Sequence, residues 1–149
     1  MMEIRFYQLL RSDLESALAQ LLERTLAKGW RAVVYTASAE RAEALSRFLW
    51  TYAQEAFLPH GTAADGGAPD QPIWLTDQAE NPNGAHVCFA VDGVVPKMGD
   101  FSLICDVFDG RDPVALADAR QRWQAARAQA GVHLSYWQQT AEGWEKKAA

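Results

Sequence analysis

Apolar and polar positions fall in blocks whose period switches between that of a strand and that of a helix. Ile4, Phe6 and Tyr7 open a strand over residues 4–10, and Ser12-Asp13 closes it with a side chain suited to cap a helix. From Leu14 the apolar positions 14, 17, 18, 21, 22 and 26 keep the three-and-four spacing of an amphipathic helix, and Lys28-Gly29 stops it. Residues 32–36 read as a buried strand. Ser38 then precedes a second helix with Ala42, Leu45, Leu49 and Tyr52 on one side. Phe57-Leu58-Pro59-His60-Gly61 breaks that helix, and residues 61–71 form a Gly-, Ala- and Asp-rich loop expected to be mobile. Strands follow at 73–76, 87–91 and 103–108. The last helix is the best delimited: Asp112 as N-cap, Pro113 at its first position, Gly131 beyond its end. Residues 134–139 are a short final strand or an extended segment, and the polar tail from Gly143 is expected to fray. Strands alternating with helices imply a three-layer α/β/α sandwich on a mainly parallel sheet, with residues 1–149 as one domain.

Composition narrows the classes. Fourteen Lys and Arg against nineteen Asp and Glu give a net charge of -5, the wrong sign for gripping phosphates through bulk electrostatics. Cys88 and Cys105 form no C-x-x-C pair and suit two buried thiols in a reducing cytoplasm rather than a zinc site. The N-terminus lacks a basic region followed by a long apolar run, so neither a standard secretory signal nor a membrane span is expected.

The chemistry usual on such a fold is missing from the motifs. A phosphate cradle needs glycines leading into a helix, whereas Gly61, Gly66 and Gly67 lead through Ala68-Pro69-Asp70 to a strand. No G-x-S-x-G elbow surrounds any serine. Asp106, Asp109 and Asp112 could meet a cation, but their placement across a strand end, a turn and a cap favours the capping role. His60, His86 and His133 have no ligand or base partner nearby in sequence and read as satisfied core or surface histidines.

Two constellations remain. On the last helix Arg120, Trp123, Gln124 and Arg127 occupy i, i+3, i+4 and i+7, placing two guanidiniums and an amide around one indole. Arg presents a planar fork for a carboxylate and Trp a flat apolar wall, a combination suited to the acidic, hydrophobic end of another protein. Leu116, Ala119, Trp123, Ala126 and Ala130 equally make a core stripe, and periodicity leaves both readings open. The second constellation is Phe48-Leu49-Trp50-Thr51-Tyr52 with Phe57-Leu58-Pro59, where Trp50 and Phe57 either form an aromatic docking patch or close the bottom of the core.

These residues resemble, nearly end to end, the chi subunits of bacterial DNA polymerase III. The likeness rests on Phe6-Tyr7, Leu49-Trp50, Phe57-Leu58-Pro59-His60, Gly67-Ala68-Pro69 and Ala119-Arg120-Gln121-Arg122-Trp123 in that order and spacing. Tyr136-Trp137-Gln138-Gln139 and Gly143-Trp144 resemble one branch that extends past the shorter members. The resemblance implies a cytoplasmic, non-catalytic clamp-loader accessory protein without cofactor, on a nucleotide-binding-like fold that lacks the phosphate loop. It implies pairing with a psi subunit, capture of the acidic C-terminal tail of single-stranded DNA-binding protein, and only indirect contact with DNA. By position, Arg120 matches the arginine that engages the tail, Trp123 an aromatic neighbour, and Gln124 and Leu116 replace basic residues, with Arg122 and Arg127 as cations placed to compensate. Trp50 and Phe57, with Pro59 beside them, match the surface used by psi and by a competing repair helicase. One alternative is a nucleotide-binding α/β enzyme with an unrecognised site, using Asp106 and Asp109 on a cation; a second is direct single-stranded nucleic-acid binding through Arg and Trp residues, against which the acidic balance argues.

Overall fold

The computed structural model describes residues 2–52, 58–97 and 99–148. Strand β1 (Met2–Leu9) is followed by α1 (Leu14–Ala27), β2 (Ala32–Tyr35), α2 (Ala39–Thr51), β3 (His60–Gly61) and β4 (Ile73–Thr76). Then come β5 (Val87–Ala90), β6 (Leu103–Asp109), α3 (Pro113–Arg127), β7 (Val132–Thr140) and β8 (Gly143–Ala148). All eight strands join one sheet in the order β3-β4-β2-β5-β6-β1-β7-β8. Every pairing is parallel except that of β8 with β7.

Each helix begins where a short polar side chain takes up an orphan backbone N–H. Asp13 accepts from Ser16 at 2.7 Å, Ser38 from Arg41 at 3.1 Å and Asp112 from Val114 at 3.0 Å. Pro113 at the first position of α3 lacks the N–H that would otherwise need a partner. Gly29, with φ +79°, takes the left-handed turn after α1 that a Cβ would resist.

The sheet is buried on both faces, forming three layers. Helices α1 and α2 cover Tyr7, Leu9, Val34, Leu75, Phe89 and Val107, using Leu18, Leu22, Leu45 and Leu49. Helix α3 covers only the β6-β1-β7 part of the opposite face, over Ile4, Phe6, Ile104 and Phe108. The rest of that face is closed by residues of the long connections, Ala85 and Phe101 among them. Cys88 and Cys105 are both buried thiols, and burial raises each above the ordinary thiol range, Cys105 to about 12.

The end of the chain departs from the sequence expectation. Residues 143–148 do not fray but pair with β7 as an edge strand, Gln139 facing Trp144 across the ladder. Residues 60–71 hold the two-residue strand β3, a bond of 2.9 Å from the Thr62 backbone N–H to the Asp65 carboxylate and a 3-10 turn at Ala68–Asp70.

Candidate binding surfaces

Helix α3 lies with only Ala119 fully buried, so most of its circumference is available to solvent or a partner. Trp123 is half-buried. Its ring meets the edges of Phe6 at 5.5 Å and 79° and of Tyr136 at 5.4 Å and 84°. Leu116 and Ala126 are half-buried against the same cluster, and Ala130 is exposed. The indole is thus packed against the core and remains partly exposed. Arg120, Gln124 and Arg127 are exposed around it.

Tyr136 belongs to this surface, although the helical spacing gives no hint of it. Parallel register sets it beside Phe6, and its hydroxyl donates to Gln8 Oε1 at 2.8 Å. Burial raises the phenol above its usual range while the Arg120 charge pulls it down. The surface thus consists of a fixed aromatic base, Trp123 on Tyr136, bordered by Arg120.

Arg122 corrects the sequence expectation. It points into the molecule and holds the buried Asp106 carboxylate bidentately, at 2.7 and 3.0 Å, with side chains 14% and 9% exposed. That guanidinium is committed and does not offset Gln124 and Leu116. Burial keeps the Asp106 carboxyl above the usual carboxylate range even with Arg122 pulling it down.

On α2, Trp50 is 61% exposed, with its ring 4.4 Å from that of His60. His60 is itself buried, its ring nitrogens 2.6 Å from the Leu58 carbonyl and 3.1 Å from that of Ser46. A buried imidazole therefore supports the exposed indole from below. Pro59 is half-buried beside them, and Phe57 lies outside the described residues.

Open α/β sheets bind ligands at the carboxyl ends of strands whose connections depart in opposite directions. Here the chain leaves β1 towards β2 and leaves β6 towards β7, so the switch lies between adjacent β1 and β6. The hollow there, about 280 Å³, is lined by Asp92, Asp109, Asp112 and Asp118 against a single committed cation, Arg122. In the β1–α1 turn, where three successive N–H groups could hold an anion, the chain supplies its own acceptor. The N–H groups of Leu10, Arg11 and Ser12 all donate to Gln139 Oε1, at 3.1, 2.8 and 3.1 Å, and Gln139 Nε2 donates to Ser12 Oγ at 2.7 Å. Among the described residues no three His, Cys, Asp or Glu side chains meet as a metal site, and no helix is long and apolar enough to cross a membrane.

Comparison with known proteins adds two findings. The family model described as DNA polymerase III chi subunit, HolC, matches residues 1–135. A protein named Probable DNA polymerase III subunit chi, from Rickettsia prowazekii (strain Madrid E), is 37% identical over 71 residues, 48% of this chain and 43% of that protein. The chain thus spans less than half the length of that curated relative in the match.

Proposed function

The chain belongs to the DNA polymerase III chi subunit family, and from that premise we propose that it is a non-catalytic bridge in the cytoplasmic replication machinery. One end of the bridge is the clamp loader, reached through a psi subunit at the Trp50 surface, which a repair helicase would share. The other is the acidic C-terminal tail of single-stranded DNA-binding protein, held on α3. What supports the tail assignment is the exposed Arg120 guanidinium beside the anchored Trp123–Tyr136 pair. Arg120 bonds the terminal carboxylate, while Trp123 and Leu116 receive the last aromatic ring. Arg127 adds a second exposed cation two turns along, and Gln124 an uncharged donor between them.

The competing reading, a nucleotide-binding enzyme, meets the wrong electrostatics. Phosphates would enter a hollow lined by aspartates, beside a turn whose donors are already taken by Gln139.

Isothermal calorimetry with a synthetic tail peptide tests the proposal. A charge-assisted bond contributes about 1.5–3 kcal/mol, so Arg120→Ala should weaken binding about 10- to 100-fold. Unchanged affinity would remove Arg120 from the site. No binding by the unaltered chain would remove the tail assignment altogether.

A further inference from the structure

A second hollow, on the α1 face of the sheet, has the opposite electrostatic character. Its volume is about 220 Å³. Its floor is apolar, formed by Val87, Phe89, Leu103 and Cys105, and its aromatic walls are Tyr7, Trp30, Trp137 and Trp144. Arg5, Arg24 and Lys28 complete the lining, and no Asp or Glu contributes to it. In a chain of net charge -5 this is a marked segregation of sign.

The cations are placed to meet an outside anion. Arg24 and Lys28 are four residues apart at the end of α1, exposed, and so project on one side of the helix. The ion pairs among the described residues leave both without a carboxylate partner. Lys28 Nζ sits 4.8 Å from the Trp30 ring centroid. Arg5 is held at the base by Glu3 at 2.6 Å. The rings form a layered wall: Trp144 meets Tyr7 edge-on at 4.8 Å, and Trp137 stacks on Tyr7 at 6.4 Å and 30°. Trp137 and Trp144 lie beyond residues 1–135, so half of this aromatic wall is an addition to the part that the family model matches.

We propose that this hollow takes one base of a single-stranded nucleic acid between its aromatic walls, with the flanking phosphates on Arg24 and Lys28. A flat ring needs only π-faces and an apolar floor, so such capture is tolerant of sequence. The space fits one ring system rather than a run of peptide backbone, and the two cations on α1 extend past it as a short phosphate track. The net acidic charge argues against direct nucleic-acid binding; the local charge reverses that expectation for this one surface. The α3 surface, on the opposite face of the sheet, is left free for its own partner.

The test is fluorescence anisotropy of a labelled oligo-dT strand at low salt with the full chain, unlabelled dTMP serving as competitor. The unaltered chain should bind saturably, and two cation contacts should give a salt slope of about -1.4. Arg24→Glu should weaken binding about tenfold or more, whereas Arg47→Glu, the same charge change on exposed α2 surface, should leave it unchanged. Trp144→Ala should cost about 5- to 100-fold. Because Arg24 is exposed, its variant keeps the test valid if Trp144→Ala disturbs the hairpin. Absence of binding by the unaltered chain, equal losses in Arg24→Glu and Arg47→Glu, or dTMP as strong a competitor as unlabelled strand would overturn the proposal. Displacement of the strand by an acidic peptide through Arg24 and Trp144 would assign the hollow to a protein segment instead.

Discussion

Replacing Arg122 by Met removes the guanidinium that compensates the Asp106 carboxylate, in the most deeply buried ion pair among the described residues, and leaves its apolar stem. The pair joins α3 to β6, with both carboxylate oxygens of Asp106 engaged and Asp106 only 6% exposed. Stripping one partner from such a pair costs about 3–5 kcal/mol, because the remaining charge keeps its desolvation penalty and loses its attraction. For a chain of this size, about 2–4 °C of melting temperature accompanies each kcal/mol, so Tm should fall by about 6–20 °C. The loss depends on pH in a defined direction. The folded Asp106 pKa already lies above the unfolded value, so its favourable share of stability is present below about pH 4 and disappears as pH rises through the folded pKa. Without Arg122 that folded pKa rises further. The variant should therefore lose least near pH 4 and most near pH 8. The double variant Asp106→Leu with Arg122→Met buries no charge and should recover most of the loss. Denaturant melts of the two single variants, the double variant and the parent complete the cycle. A loss below about 1 kcal/mol for Arg122→Met, the cost of a surface pair, would refute the buried-charge reasoning.

Two further predictions concern the β1–α1 turn. Asp13→Ala should cost about 0.5–2 kcal/mol through loss of the cap on α1. The Ser16 N–H holds the Asp13 carboxyl below its usual range, so the cap stabilises above the unfolded pKa and is lost as pH falls through the folded one. Urea melts should show the penalty at pH 7 and a much smaller one near pH 2; a pH-independent penalty would contradict the capping account. Gln139→Ala removes the common acceptor of Leu10, Arg11 and Ser12, and should cost about 1–3 kcal/mol. Amide exchange should quicken first at those three residues, and unchanged protection there would show that they have other acceptors.

Local signals made most of the elements readable in the sequence. Asp13, Ser38 and Asp112-Pro113 announce their helices because capping acts within three residues. Edge strand β8 was missed for a physical reason: Gly143-Trp144-Glu145-Lys146-Lys147 has one large apolar side chain, and its place in the sheet comes from backbone pairing with β7. The lysines are appropriate to an exposed edge, where charge discourages pairing with another chain. The arginines of α3 show the same boundary. Spacing assigns Arg120 and Arg127 to the outward side correctly, but it cannot reveal that Asp106, on another element, lies under Arg122. Tyr136 and the aromatic wall of Tyr7, Trp137 and Trp144 escape for that reason too, since the parallel β1–β7 register and the antiparallel return of β8 bring them together across more than a hundred residues.

Gln139 fills the turn after β1 with an uncharged oxygen that is tethered to the chain itself. Its position is fixed by the β7–β8 ladder. The three turn N–H groups are thereby satisfied within the fold, and an incoming anion would have to displace a tethered side chain to reach them.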